Sequence, residues 1–396
     1  MEELVIWGAG AIGGTIGAAL ARAGANPLLV DCDAGHVAAL NAAGLKITGP
    51  IEDYATPVRA ASPVDVRGPM RRVMLAVKGQ HTAAAAKTIA PLLAQDGCVL
   101  SLQNGLNGEA IAQAVGPERV VLALVDFASD YIEPGTIHYG GRGSVYVGEP
   151  DGTISSRVKD YVALLKQFDH AIEATDNVLG LLWGKIAYGG LLTATALTND
   201  TMADVLGDPR WRDALGRTGR EIVLAAKAAG IAPVGVDGFD AAAFAAGDAA
   251  KVRASCDAMA DHYRHSAKTR SGIWRDLAVR KRKTEVETLL GPVIAAGAKH
   301  GVATPTVARL AAMIAEMESG KRDFSPENLV ELYSRFVRAA SRASSSALKG
   351  AAFAEGAARR RAARNPNAPI RSTANGASHS SKLCTFMRGL SSTNSP

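Results

Sequence analysis

Four side chains stand where chemistry could be done. Lys78 ends the apolar run Val73–Val77 in VKGQHT, and Asn104 ends a later run in SLQNGLNG. If both runs are strands of one sheet, a lysine and an amide reach the same edge, where ligands of open α/β sheets bind. Lys185 interrupts LLWGKIAYGGLLTATAL, an otherwise uncharged apolar stretch. Such a lysine either snorkels to water or faces a polar pocket, and in a pocket it is a usable proton donor. Glu285 opens Glu-Val-Glu, one residue before the apolar position Val286, and faces either a cleft or water. Each has a plain reading beside the chemical one. Lys78 is then a solvated strand-end charge, Asn104 a turn amide, and Glu285 a surface acid among Arg280, Lys281, Arg282 and Lys283.

These residues need a scaffold, and the N-terminus supplies its clearest part. VIWGAGAIGGTIG places five glycines in the ten positions from Gly8 to Gly17. Gly8, Gly10 and Gly13 fit G-x-G-x-x-G directly after the apolar run 4–7, and Ile12, Ile16, Ala19, Leu20 and Ala23 then recur at helical intervals. In this strand–turn–helix the first glycine permits the turn, the second lets a pyrophosphate approach the backbone, and the third lets helix and strand pack. The N–H groups at Ala11, Ile12 and Gly13 begin the helix, whose positive end favours an anion. A second apolar strand ends at Asp31, 18 residues after Gly13. A carboxylate there bonds the ribose hydroxyls of a dinucleotide and repels a 2′-phosphate, which favours NAD over NADP. Asp33 adds to that repulsion, whereas Arg59, Arg71 and Lys78 are cations that could offset it. The alternative is a ligand-free strand–helix turn with Asp31 as a cap.

The chain of 396 residues has room for two domains, and its 47% hydrophobic content with 5% aromatics reads as globular. No run approaches the ~20 uninterrupted apolar residues of a membrane span. Its start does not resemble a signal peptide. Cys32, Cys98, Cys256 and Cys384 are scattered, which argues against a metal knuckle and fits a reducing cytoplasm. The net charge of +6 sits in the tail, where eight Lys or Arg residues and one acid follow Ser345. The body gives no reason to expect nucleic acid.

Residues 1–170 alternate strands and helices, with further strands at 73–77, 99–102 and 120–125 and helices at 34–43, 80–95 and 107–115. Repeated strand–helix order implies parallel crossovers in a Rossmann-type, doubly wound, mostly parallel sheet. Thr136–Tyr139 and Ser144–Val147 flank GGRG and read as a closing hairpin. Residues 176–338 read as an all-helical domain, with Gly291-Pro292 a candidate break between two helices and Thr304-Pro305 a helix start. The segment 345–396 is too poor in large apolar residues to fold alone, and its expected state is disorder.

GAGAIGG, VKGQHT, LQNGLNG, HYGGRG followed by GE, LWGKIA and RDLAVRKRKTEVE occur in the order of the ketopantoate reductase family, which the chain resembles over residues 3–325. The resemblance implies reduction of a 2-oxo acid to a 2-hydroxy acid by a nicotinamide cofactor, with NADPH the common donor. It implies that Lys185 protonates the forming alkoxide and that Asn104 holds the substrate near the nicotinamide. Lys78 would lie near cofactor or substrate, and Glu285 would bond substrate hydroxyls. A homodimer is also suggested.

Several positions depart from the family pattern. Gly189 and Thr193 replace asparagines at the fourth and eighth positions after Lys185. The paired serines become Ser271-Gly272, and the spacing from there to Glu285 is one residue longer. Lost amides are lost substrate contacts. Reduction of 2-dehydropantoate to pantoate, as in pantothenate synthesis, is the leading expectation. An NAD-linked dehydrogenase of another 2-hydroxy acid and a non-catalytic dinucleotide sensor are the alternatives.

Overall fold

The computed structural model describes residues 2–266 and 268–333. The segment expected to be disordered, 345–396, lies outside the described residues.

The chain begins β1 (Glu2–Trp7), α1 (Ala11–Arg22), β2 (Leu28–Val30) and α2 (Ala34–Ala43). Three short strands follow, β3 (Leu45–Thr48), β4 (Tyr54–Thr56) and β5 (Arg59–Ala61). Next come β6 (Met70–Leu75), α3 (Thr82–Ile89), β7 (Leu93–Ser101), α4 (Gly108–Val115) and β8 (Val120–Val125). Then β9 (Ala128–Glu133), β10 (Thr136–Gly141), β11 (Val145–Gly148), α5 (Ser156–Leu165) and β12 (Glu173–Ala174) complete the sheets. The remainder is helical: α6 (Val178–Thr195), α7 (Met202–Gly207), α8 (Arg212–Ala228), α9 (Ala241–Ala246), α10 (Ala249–Arg264), α11 (Gly272–Ala278), α12 (Val286–Lys299) and α13 (Pro305–Glu318).

The main sheet has the order β12-β11-β8-β7-β6-β1-β2-β5. From β5 through β8 neighbouring strands run parallel, and β11 joins β8 antiparallel. Strand order reverses between β1 and β6, and in a doubly wound sheet the ligand crevice opens at that reversal. Residues 4–7 of β1 and all of β8 are buried because helices cover both faces. Ile6, Ile16, Leu29 and Leu100 form the core on the α1 side, while Val5, Val73, Leu75 and Ile111 form it on the α3–α4 side.

Helix α6 joins the two halves. Val178 and Leu182 pack in the core beneath the sheet, whereas Trp183, Ile186, Ala187 and Leu191 belong to the helical core. A helix buried on nearly all sides must be apolar all round. By length and composition alone it could cross a membrane, but 72% of that window is buried inside the protein. It starts at Asn177, whose side chain accepts the Gly180 N–H at 3.0 Å. Gly184 lets the loop at Val234 lie against it, since a Cβ there would stand 1.7 Å from the Val234 carbonyl oxygen.

Two sequence expectations fail. Segments 136–139 and 144–147 do not form a hairpin. Strand β10 pairs with β9 and β3 in a separate sheet, β4-β3-β10-β9, while β11 pairs with β8 in the main sheet. GGRG therefore carries the chain from one sheet to another. The true partner, β9, reads ASDYIE and is too polar to be recognised as a strand. Nor does Gly291-Pro292 divide α12, which continues with Pro292 inside it. A proline there removes one hydrogen bond to the Thr288 carbonyl.

Candidate active site

The glycine loop after β1 is built as its spacing predicts. Gly8 has φ +106°, and a Cβ on it would lie 2.7 Å from the Val77 nitrogen. A Cβ on Gly13 would lie 2.0 Å from the Gly8 carbonyl oxygen. Both are bare because protein fills the space. A Cβ on Gly10, by contrast, meets nothing within 4 Å. The room it leaves is open and borders the first turn of α1, where N–H groups have no intrahelical partner. This loop fits a dinucleotide diphosphate. Ala11 and Ile12, in that first turn, are partly exposed.

Asp31 follows β2 and is tied to the loop. One carboxylate oxygen accepts the Ala9 N–H at 3.0 Å, and the other accepts the Asp33 N–H at 3.0 Å. His36, not singled out in the sequence, completes this support. Gly135 donates its N–H to Nδ1 at 3.0 Å, so Nε2 carries the proton and donates to the Ala9 carbonyl at 3.0 Å. Both backbone groups of Ala9 are thus taken, and the loop is fixed before any ligand arrives.

Lys78 follows β6, and its ammonium meets the Glu285 carboxylate at 2.7 Å. Glu285 stands at the residue preceding α12, where a negative charge is stabilised by the helix dipole. Its other oxygen accepts the Gly79 N–H at 3.4 Å. Asn104 follows β7 with its side chain exposed, and Gly105 beside it has φ +95°. Its loop is fixed by buried amides and a hydroxyl. Gln103 donates to the Val77 carbonyl and to the Thr82 hydroxyl, both at 2.8 Å. Thr82 donates to Asn107 at 3.2 Å, and Asn107 donates to the Asn104 carbonyl at 2.8 Å. The loops after β6 and β7 are therefore one hydrogen-bonded unit, which accounts for Thr82 of VKGQHT and for Gln103 and Asn107 of LQNGLNG.

Lys185 leaves α6 toward the carboxyl end of β8. Its ammonium donates to the Val125 carbonyl at 2.6 Å and pairs with Asp126 at 2.9 Å. Its side chain is 25% exposed and its charge is met by these two oxygens, so it does not snorkel freely to water. Tyr188 and Tyr263 stack one turn farther along, with their hydroxyls hydrogen-bonded to each other. Burial pushes Tyr263 up to about 12 and Tyr188 higher still, so both are neutral at physiological pH. Lys268 lies within electrostatic reach of Lys185, Arg275, Asp126 and Asp130. Its pKa is lowered by its crowded surroundings first and by Arg275 and Lys185 second, although the residue retains substantial surface exposure.

The remaining predicted positions are placed differently. Gly189 is one turn beyond Lys185, and a Cβ on it meets nothing within 4 Å. Thr193 is buried and donates to the Gly189 carbonyl at 2.8 Å. Ser271 is buried too, and its oxygen caps α11 by accepting the Trp274 N–H at 3.2 Å. The structure thus brings Lys78, Glu285 and the Asn104 loop together and sets Lys185 beside Asp126, while Thr193 and Ser271 make local bonds. Asp126 escaped the sequence reading because its partner is 59 positions away, with no spacing signal between them.

Comparison with known proteins gives the family and the fold. Residues 4–152 match a family model described as ketopantoate reductase PanE/ApbA, and residues 177–318 match its C-terminal counterpart. A 2-dehydropantoate 2-reductase of Mesorhizobium japonicum is 32% identical over 265 residues, covering 59% of this chain and 79% of the relative. A ketopantoate reductase structure from Ralstonia eutropha JMP134 superposes with TM-score 0.68 at 26% identity, covering 81% of this chain and 99% of that one. A ternary structure of D-mandelate dehydrogenase with NADH and anilino(oxo)acetate shares the fold, with TM-score 0.68, 21% identity and coverage of 81% and 99%. With its glycine loop, reversed strand order and lysine-bearing α6, the chain is a nicotinamide-dependent oxidoreductase and belongs to the ketopantoate reductase family.

Proposed function

We propose that this enzyme reduces a 2-oxo acid to the 2-hydroxy acid, with 2-dehydropantoate as the leading substrate. The observation that carries the reading is the placement of the Lys185 ammonium at the carboxyl end of β8. Residues 1–170 hold the dinucleotide and contribute Asn104, and 176–338 supply Lys185 and Glu285.

When bound, the reduced nicotinamide supplies a hydride to the carbonyl carbon. Lys185 donates its proton to the oxygen that becomes negative, so carbonyl, hydride and proton together give the hydroxyl, and water returns a proton to the amine. The glycine loop and the first turn of α1 hold the diphosphate. Asp31 accepts from ribose hydroxyls, and its charge disfavours a 2′-phosphate, so NADH is the proposed donor. Asn104 orients the substrate, while Lys78 and Glu285 exchange their mutual bond for contacts with cofactor and substrate. A reducing cytoplasm and a homodimer complete the reading.

A second substrate reading rests on Gly189. The space beside it would accept a bulkier 2-oxo acid, aromatic or branched, of the kind suggested by the mandelate dehydrogenase neighbour. The test is to follow reduced-nicotinamide absorbance with 2-dehydropantoate, branched and aromatic 2-oxo acids, and both NADH and NADPH. Fastest turnover of 2-dehydropantoate supports the first reading, and fastest turnover of a bulky acid supports the second. Absence of turnover on every acid would refute both.

A further inference from the structure

The HYGGRGS segment, residues 138–144, has no part in the reaction as drawn, yet it is built tightly against one residue. The Asp126 N–H donates to the Ser144 carbonyl at 2.9 Å. Gly143 lies directly on the Asp126 peptide, and a Cβ there would stand 2.0 Å from the Asp126 carbonyl oxygen. Arg142 is anchored in turn by Asp169 at 2.8 Å. The segment therefore fixes the backbone of Asp126. From that fixed point the carboxylate reaches the Lys185 ammonium at 2.9 Å, beside the Val125 carbonyl at 2.6 Å. A lysine ammonium has three donors. One donates to the Val125 carbonyl, and the Asp126 carboxylate pairs with the same ammonium as its counter-ion.

Asp126 stands as an anion directly against this amine, at 2.9 Å. A substrate carboxylate approaching Lys185 is repelled by Asp126, so the side of the ammonium away from Asp126 is the side it takes.

We propose that Asp126 is a positioning residue: held by Gly143 and Ser144, it fixes the Lys185 ammonium and keeps the substrate carboxylate on the side of that amine away from itself. The inference rests on Lys185 being the proton donor. It gives the HYGGRGS turn a purpose, since the turn sets the carboxylate that aims the amine.

The test uses the full chain with Asp126→Asn and Asp126→Glu. Turnover of 2-oxo acids with NADH is measured beside binding of oxamate, an unreactive amide analogue, read from quenching of NADH fluorescence. For Asp126→Asn, kcat falls about tenfold as the ammonium loses its aim. Oxamate binds about threefold more tightly because a like charge is gone, while the thermal midpoint and NADH affinity stay unchanged. Asp126→Glu, which retains the charge but displaces it, lowers kcat and leaves oxamate affinity near that of the parent. A merely structural role would not tighten anion binding while slowing turnover. If the parent turns over 2-oxo acids but neither variant changes kcat, or if Asp126→Asn weakens oxamate binding, the proposal is overturned. If the parent turns over none while oxamate still tightens in Asp126→Asn, the reaction reading fails and the charge placement stands. Should Asp126→Asn not fold, Asp126→Glu alone decides, and an unchanged kcat overturns the proposal.

Discussion

Lys78 and Glu285 are 207 residues apart in sequence, and their side chains meet at 2.7 Å between the sheet edge and the start of α12. Lys78 is 53% exposed and Glu285 20%. An ion pair this open contributes little to stability, about 0–1 kcal/mol. In the proposed function its value lies in holding Lys78 and Glu285 at one place for cofactor and substrate. Glu285→Gln should leave the thermal midpoint within about 2 °C of the parent while lowering kcat/KM for the 2-oxo acid about tenfold. A large fall in midpoint with unchanged kinetics would make the pair structural only.

Asp31 should decide between the two nicotinamide cofactors. Its carboxylate is fixed on the Ala9 N–H at 3.0 Å. A 2′-phosphate would meet that charge directly, and like-charge juxtaposition costs several kcal/mol. Asp31→Ser should move the NADPH-to-NADH preference at least tenfold toward NADPH, about 1.4 kcal/mol. Steady-state kcat/KM for both cofactors measures it, and an unchanged ratio would remove Asp31 from cofactor choice.

Gly13→Ala tests the packing of the loop. The added Cβ would stand 2.0 Å from the Gly8 carbonyl oxygen, so the helix or the loop must move. Overpacking of this kind typically costs about 1–3 kcal/mol. NADH binding, followed by fluorescence, should be lost with it. Gly10→Ala has open space instead. It should keep the thermal midpoint and weaken only cofactor binding. Equal loss of midpoint in both variants would contradict the distinction.

Much of this arrangement is legible in the sequence wherever one residue's neighbours along the chain define its surroundings. The glycine loop follows from a strand, three spaced glycines and a helical period. Lys185 stands out because nothing charged surrounds it in α6. The pieces that escape depend on partners far away in the chain. Asp126 matters only because α6 returns to the end of β8. His36 matters only because Gly135 and Ala9 lie on either side of its ring. The misassigned hairpin fails for the same reason: a glycine-rich turn between two apolar strands shows where the chain bends but not which sheet it joins. Thr193 and Ser271 show the reverse limit, since a residue at a family position can still direct its oxygen to its own helix.

An ion-pair network joining α13 to the residues that follow it makes a separate prediction about acid. Arg309 and Arg322 bond Glu316 at 2.7 and 2.6 Å and also reach Glu331. Hydrogen bonds from Arg309 and then Arg322 hold the Glu316 carboxyl below its usual range. A depressed folded-state pKa stabilises above the unfolded value, about 4.3, and that stabilisation fades as pH falls through the lower folded value. Glu316→Gln should therefore flatten the fall in thermal midpoint on acidification below that pH. An identical acid slope in parent and variant would show that this network does not govern it.

The central claim is that Lys185 supplies the proton as hydride reaches a 2-oxo acid. The most direct measurement compares the parent with Lys185→Ala, following loss of reduced-nicotinamide absorbance on the best 2-oxo acid beside NADH affinity by fluorescence. Turnover should fall by about 10²–10⁴-fold, the usual contribution of a positioned acid, with NADH affinity within twofold. A Lys185→Ala enzyme that reduces the acid at the parental rate would contradict the account.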